Sequence, residues 1–174
     1  MITSCNITGY PYRFIMRRID NNVPCLLYRF KSTKTNRVYL VRVECYPNDF
    51  FGVKFYLKSD ESSPTKYNRL TGLYEPRPII NTCILIMLDL SQQYPRSSFG
   101  FIGSNINGES QFLTKRFKVY SRIISTYFSE DNFLHYQIDD KSAYAMVRQS
   151  EIKNNPHLID EISSYFSDNY TNFD

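Results

Sequence analysis

The segment from Gly103 to Ser110 comes nearest, in residue types and spacing, to a phosphate-binding motif. Its two glycines are five residues apart, and it stands between an apolar stretch and a basic amphipathic stretch, as in nucleotide-binding P-loops. In a P-loop the residue after the second glycine is a lysine that reaches the phosphates, whereas this chain has Glu109 there. A carboxylate repels a polyphosphate, so we interpret the segment as a Gly/Asn turn and expect no cofactor.

Metal chemistry has few candidate ligands in this sequence. The chain has two histidines, His135 and His157, and its four cysteines form no C-x-x-C pair. Zinc sites need such clustered ligands, so we expect no metal. Two observations predict a cytoplasmic protein: the cysteines are dispersed, and the sequence shows no signal-peptide pattern. The apolar run over residues 79–90 is short and interrupted, so we expect no membrane partner.

A metal-independent ribonuclease of the toxin or defence type is an alternative that the residues leave open. Basic, tyrosine and histidine side chains can activate a 2′-hydroxyl and stabilise a phosphorane without an ion. The candidate catalytic residues are Arg116, Tyr120, His135 and Tyr136. Nothing in the sequence fixes their mutual geometry, and a surface or packed imidazole explains His135 equally well. The first interpretation is therefore a protein without an evident active site.

The distribution of charge favours an anionic partner for the N-terminal half. Residues 1–87 contain 13 Lys/Arg and 6 Asp/Glu, a net charge of +7, whereas residues 88–174 contain 8 and 11, a net charge of −3. On the predicted strands of the N-terminal half, one face carries basic side chains and a tyrosine. Such a surface can hold a phosphate backbone and stack a base, although basic residues also occur on ordinary solvated sheet faces. The residues predicted to share this face are Arg13, Arg17, Arg29, Lys31, Arg42, Lys54, Tyr56 and Lys58.

A second basic stripe is predicted on a helix that follows the Gly/Asn turn. Lys115, Lys118 and Arg122 recur at helical spacing, and Arg116 lies beside them. These cations stand early in the helix, where the helix dipole favours acidic residues. A broken local rule of this kind suggests a binding function.

Alternating apolar and polar residues predict four antiparallel strands in the first 58 residues. The first strand is expected to bury Tyr12, Phe14 and Met16 on one face. The polar, proline-containing stretch from Ser59 to Arg77 is too long for an ordinary connection and is predicted to be a functional or mobile loop.

The second half is predicted to alternate helices and strands. A nearly all-apolar helix is expected from Pro78 to about Tyr94, followed by a strand at residues 98–102 and the basic helix. A hairpin is predicted over residues 133–149, and Asn155 is expected to cap a last amphipathic helix. The whole chain is predicted to be one α+β domain: an antiparallel sheet, a central buried helix and two amphipathic helices packed mainly on one face.

Three short motifs of the second half carry a resemblance to a known family. With Tyr94-Pro95, Gly103-Ser104 and the segment Thr114–Tyr120, residues 78–122 resemble a family of small uncharacterised proteins from Bacteroidota. In this chain the insert 105–113 separates the second motif from the third. The resemblance implies a bacterial cytosolic setting, in some members near defence or toxin–antitoxin genes, and it carries no catalytic residue.

The sequence therefore predicts a cytosolic binding protein that engages a macromolecular partner, a protein or nucleic acid with an anionic surface, through the basic sheet face. An RNA-binding or RNA-cleaving protein is the alternative.

Overall fold

One sheet runs through the molecule and takes strands from both halves of the chain. The computed structural model describes residues 7–67, 75–102, 115–138 and 143–170. In this part of the chain the strands are β1 (Tyr12–Asp20), β2 (Val23–Lys31), β3 (Val38–Tyr46), β4 (Phe50–Leu57), β5 (Ser98–Ile102), β6 (Phe133–Ile138) and β7 (Ala143–Arg148). The helices are α1 (Pro76–Gln93), α2 (Lys115–Ser125), α3 (Gln149–Asn154) and α4 (Leu158–Tyr170).

The strand order is β1-β2-β3-β4-β5-β7-β6. Neighbouring strands are antiparallel except β4 and β5, which are parallel and connected through α1. The predicted α+β class and the predicted antiparallel N-terminal sheet of four strands are confirmed.

The first four strands form because apolar and polar side chains alternate and asparagine-rich turns join them. On β3, Tyr39, Val41 and Val43 are each 0% exposed and lie on one face of the sheet. The β1–β2 turn is Asn21-Asn22, with φ angles of 50° and 63°. Positive φ at both positions is the geometry of a two-residue hairpin turn, and asparagine adopts it more readily than most residues. We call the face with Tyr39 the front face and the opposite one the back face.

Strand β1 departs from the predicted alternation. Its pairing with β2 shifts in register between Phe14 and Met16, a β-bulge in which Ile15 is the additional residue. After the bulge Arg17 lies opposite Leu26, a front-face core residue. The prediction that Met16 is buried and that Arg17 lies on the back face is therefore wrong. One inserted residue moves every following side chain to the other face.

The main core lies between the front face and two helices. As predicted, α1 is the central buried helix, and its residues Ile84, Ile86 and Leu90 are each 0% exposed. Helix α2 packs beside it and buries Phe117 and Ile124 in the same core. Alternate residues of β1 to β5 and of β7 supply the other side of this core.

The last helix packs on the back face at the β7 end of the sheet. Leu158 and Ile162 of α4 join Phe50 and Val147 in a separate small core. The helices therefore cover both faces, because every second residue of β7 is apolar on the back face as well and needs a cover. The short helix α3 begins at Gln149, the residue at which the predicted hairpin ends.

A buried carboxylate anchors the start of α1. The helix begins at Pro76, two residues before the predicted start, and Glu75 before it is 4% exposed. Four hydroxyls donate hydrogen bonds to its carboxylate, those of Tyr10 (2.6 Å), Ser32 (2.8 Å), Thr35 (3.0 Å) and Tyr39 (3.4 Å). Burial alone would raise the pKa of Glu75, but these hydrogen bonds hold it below its usual value. The cluster joins the N-terminal segment and the β2–β3 hairpin to α1.

Candidate functional site

The centre of the back face carries internal ion pairs in place of the predicted open basic surface. The Glu44 Oε1 atom is 3.2 Å from Nη2 of Arg42 and 3.0 Å from Nζ of Lys54. A second carboxylate, Asp20, is 3.2 Å from Nη1 of Arg42. The two basic side chains are only 12% and 13% exposed. Internal carboxylates already pair with both cations, so Arg42 and Lys54 do not form an open basic surface, and their anion-binding role stays a prediction.

Burial also changes the titration of this cluster. It lowers the pKa of Lys54, while contact with Glu44 acts in the opposite direction. The same alternation that places Arg42 on the back face also places Glu44 there. The carboxylate that neutralises the predicted site was therefore visible in the sequence.

The predicted stacking residue Tyr56 is buried. It is 2% exposed, and the ring of Tyr67 packs edge-on against it with centroids 5.3 Å apart. The ammonium group of Lys66 lies 4.7 Å from the centroid of the Tyr56 ring. The described part of the predicted long loop, residues 59–67, therefore packs down on the back face. The Tyr56 ring is thus not accessible for stacking in this structure, and residues 59–67 form no open surface with the sheet.

Four of the predicted basic residues lie outside these ion pairs, and we call them the basic corner: Arg13, Arg29 and Lys31 at the β1–β2 end of the back face, and Lys58 directly after β4. Arg13 and Arg29 lie directly opposite each other on β1 and β2. Arg29 is half-buried and the other three are exposed. Within the described ranges no carboxylate comes within 4 Å of these four cations. Opposed like charges are unfavourable, and a bound anion would relieve the repulsion.

The basic stripe of α2 lies on the other side of the sheet. Lys118 and Arg122 are exposed, while Phe117 on the opposite side of the helix is buried against the front face. Lys115 and Arg116 stand in the first turn, and their side chains lie outside the described residues. The exposed cations of α2 and the basic corner therefore cannot form one composite site.

The imidazole of His135 is held by hydrogen bonds on both nitrogens. Its Nε2 lies 2.7 Å from the carbonyl oxygen of Phe128, and its Nδ1 lies 2.5 Å from the hydroxyl of Tyr144. Because a carbonyl oxygen only accepts, Nε2 carries the proton and Nδ1 accepts from Tyr144. Burial raises the pKa of Tyr144 to about 12. This arrangement is that of a structural histidine, and Tyr144 is a partner that sequence reasoning missed.

The structure does not assemble the other candidate catalytic residues around His135. Tyr136 is its neighbour on β6, so the two side chains point to opposite faces, and Tyr136 packs in the back-face core. Tyr120 packs on the front face, with its ring centroid 5.7 Å from that of Phe55. The side chain of Arg116 is not among the described ones, and neither is the turn at residues 103–110. No catalytic constellation forms from the described members of this set.

Two further findings bear on partners. In the part of the chain that the structure describes, no three His, Cys, Asp or Glu side chains come together to hold a metal ion. No described helix has the length and apolar character needed to cross a bilayer.

Strand β1 exposes large apolar side chains at the end of the sheet. Phe14 is 51% exposed, Met16 is 46% exposed and Ile19 is 73% exposed. Arg13 and Arg17 on the same strand are also exposed. Soluble proteins rarely leave such side chains together on a terminal strand, because unpaired edges promote association. Sequence reasoning missed this surface, since a regular alternation would bury Phe14 and Met16.

A groove on the front face adjoins the second half of β1. It has a volume of about 330 Å³, and its lining includes Arg17, Ile19, Leu26, Phe51 and Tyr94. An Nη2 proton of Arg17 is donated to the hydroxyl of Tyr94 at 3.2 Å. None of the described carboxylates lies within 4 Å of this guanidinium group. The lining also includes Asp49 and Arg18, and Arg18 is paired with Asp20 at 2.7 Å. The groove thus has mostly apolar walls, and Arg17 is its cation without an ion-pair partner in the described part of the chain.

No family model, curated protein or solved structure matches this chain. The resemblance to Bacteroidota proteins over residues 78–122 therefore stays a prediction, and the site rests on its geometry alone.

Proposed function

We propose that the protein is a non-catalytic binding module that engages an acidic segment of another protein at the β1 edge of its sheet. The observation that carries the proposal is the exposure of Phe14, Met16 and Ile19 on the terminal strand. Arginines at positions 13 and 17 lie among these apolar side chains on the same strand. A partner that presents both apolar and acidic side chains matches this combination.

The faces of the sheet support the edge as the binding surface. Helices α1 and α2 cover the front face, and residues 59–67 together with α4 cover much of the back face. A nucleic-acid platform needs an open face with exposed aromatic rings. The buried Tyr56 offers no such ring, whereas the edge of β1 presents its side chains to solvent.

A cytoplasmic location is part of this proposal. Cys25, Cys45 and Cys83 are free thiols, which persist in reducing compartments. Burial raises the pKa of Cys45 to about 11 and that of Cys83 to about 12. Both groups therefore stay protonated at neutral pH and are poor nucleophiles, consistent with a binding protein.

The test is the binding of labelled peptides, measured by fluorescence anisotropy at low and at physiological salt. A 12-residue peptide rich in Glu and Leu should bind, and its Gln-for-Glu counterpart should bind more weakly. The double substitution Phe14→Ser with Ile19→Ser should weaken binding by about tenfold or more, as loss of central apolar contacts does. The matched control is Leu134→Ser on β6 at the opposite edge, where the leucine is 39% exposed. Affinities weaker than millimolar, or equal losses in both variants, would refute the proposal.

RNA binding at the basic corner is a second candidate, favoured by the opposed pair Arg13 and Arg29. Single-stranded RNA should then bind with an affinity that falls steeply with salt, and Arg29→Gln with Lys31→Gln should reduce it. The control is Lys118→Gln with Arg122→Gln, which removes the same charge from α2. If both double variants bind RNA alike, the basic corner is not the site.

A further inference from the structure

The outer edge of β1 is open to a further strand. Within the described ranges β1 is the terminal strand, and β2 is the strand that it pairs with. Among the described residues, no backbone group outside the sheet hydrogen-bonds to the backbone of residues 12–20. Edge strands of this kind bind extended peptides through main-chain hydrogen bonds, and side-chain pockets then supply the specificity.

The bulge gives the two halves of β1 different chemistry. Before it, Arg13 faces the back of the sheet opposite Arg29. After it, Arg17 lies opposite Leu26 and Ile19 lies opposite Pro24, so both face the front. The groove begins beside these two front-face residues. The segment after the bulge therefore combines an open edge, a cation and an apolar recess.

We infer that the edge of β1 after the bulge binds an extended partner segment by strand addition. In this complex an acidic side chain of the partner lies against Arg17. An apolar side chain of the partner, two positions away, lies over Ile19 and enters the groove. This inference rests on the proposed function and specifies how the partner is recognised. The spacing of two follows from the alternation of side chains along a strand, because only every second residue of the partner faces the front.

The size and charge of the site select this occupant. A volume of about 330 Å³ is at the low end for a ligand pocket and has room for an apolar side chain against Leu26 and Phe51. The guanidinium group of Arg17 has only the Tyr94 hydroxyl as a described hydrogen-bond acceptor. A carboxylate from the partner would supply the missing charge.

A second copy of this chain is a poorer occupant. β1 carries three arginines at positions 13, 17 and 18 against one acidic residue, Asp20. Pairing two copies of β1 would bring six arginines together against two carboxylates, and like charges across a strand pair are unfavourable. The charge of the edge therefore favours a different, acidic chain.

The experiment uses two labelled heptapeptides of identical composition and the full protein. The matched peptide, Thr-Glu-Thr-Leu-Thr-Glu-Thr, places a glutamate two positions from the leucine on both sides, so it fits either strand direction. The mismatched peptide, Thr-Thr-Glu-Leu-Glu-Thr-Thr, places the charges on the wrong face. We expect the matched peptide to bind at least about fivefold more tightly, from the loss of a charge-assisted contact in the mismatched one. Equal affinities would overturn the inference.

Two variants assign the contacts. Arg17→Gln should weaken binding of the matched peptide and abolish its preference over the mismatched one. Arg13→Gln is the control, since it removes the same charge from the same strand on the other side of the bulge. Ile19→Asp should weaken binding and Ile19→Val should retain it. Because Ile19 is 73% exposed, these substitutions leave the core intact, which circular dichroism verifies. Equal effects of the two arginine substitutions would refute the placement of the acidic side chain.

Backbone N-methylation separates strand addition from simple charge attraction. The peptide for this test has one of its two glutamates replaced by threonine, whichever version binds, so that the strand direction is fixed. Methylating alternate residues of this peptide blocks one hydrogen-bonding edge, and methylating the other set blocks the opposite edge. One of the two peptides should lose binding and the other should keep it. If both bind alike, strand addition is wrong while the proposed acidic partner stands. If no acidic peptide binds at all, the proposed function fails and the inference fails with it.

Discussion

Replacing Glu75 by glutamine is the most direct test of how the fold is held together. This carboxylate stands before α1 and accepts hydrogen bonds from hydroxyls of the N-terminal segment and of the β2–β3 hairpin. Glutamine has nearly the same shape but no charge, and one of its terminal groups donates instead of accepting. The substitution Glu75→Gln therefore removes the chemistry of the cluster without emptying its space.

The magnitude follows from the hydrogen-bond lengths. Three hydroxyls lie within 3.0 Å of the carboxylate, and the fourth, that of Tyr39, is at 3.4 Å. A hydrogen bond to a charged group contributes about 1.5–3 kcal/mol and a neutral one about 0.5–1.5 kcal/mol. Exchanging the three short bonds for neutral ones costs about 1 kcal/mol each. We expect Glu75→Gln to lower the free energy of unfolding by about 3 kcal/mol at neutral pH.

The effect should depend on pH with a definite sign. The pKa of Glu75 is lower in the folded protein than in the unfolded chain, because hydrogen bonds to the carboxylate outweigh the effect of burial. Protonation therefore favours the unfolded state. The stabilisation is complete above the unfolded pKa of about 4.3 and is lost as the pH falls through the lower folded value. The difference between wild type and Glu75→Gln should accordingly shrink below about pH 4.

Urea unfolding followed by circular dichroism measures this difference at pH 7 and at pH 3, because the chain has no tryptophan for fluorescence. The matched control is Glu130→Gln, which removes the same charge from an exposed position. Surface substitutions of that kind usually stay within about 0.5 kcal/mol. If Glu75→Gln is as mild as the control, or if its cost grows as the pH falls, the account of the cluster is refuted.

Two further substitutions test the ion pairs and the packing of the N-terminal segment. Glu44→Gln should cost about 3–5 kcal/mol because it removes the charge that two buried cations share, whereas Lys54→Met should cost only about 1–2 kcal/mol because Arg42 still neutralises the carboxylate. Equal losses in urea unfolding would contradict this asymmetry. Gly9→Ala should lower Tm in a thermal scan, since the added Cβ would lie 2.9 Å from the backbone nitrogen of Thr82 and overpacking costs about 1–3 kcal/mol. An unchanged Tm would show that the segment shifts freely.

The strands and helices could be predicted from local patterns of apolar and polar residues. The alternation through Tyr39, Val41 and Val43 predicts a half-buried strand, and each of these residues is buried. The apolar run of α1 predicts a helix that is buried on nearly all sides. Its start is less predictable, because Pro76 and Pro78 both suit the first turn of a helix. The buried cap at Glu75, which depends on partners distant in the chain, selects the earlier start.

The charges of the back face show where pattern reasoning stops. Alternation correctly assigns Arg42 and Lys54 to that face, but it cannot tell an exposed cation from a neutralised one. That distinction depends on Glu44 and on residues 59–67, which pack over the same surface. A polar stretch with no periodic apolar pattern carries no signal of where it packs. The predicted open surface therefore becomes a buried ion cluster.

The bulge at Ile15 is the feature from which the proposed site follows. Without it, Arg17 would lie on the back face beside Arg13, where the regular alternation places it, and the front groove would lack this cation. With it, the second half of β1 turns over, so one strand presents an arginine to each face. Alternation cannot reveal a bulge, because an extra residue leaves no mark in a strand that is already half exposed. The same change of face brings Ile19 to the edge of the groove. The acidic and apolar preferences expected of a partner therefore both follow from the inserted residue, Ile15.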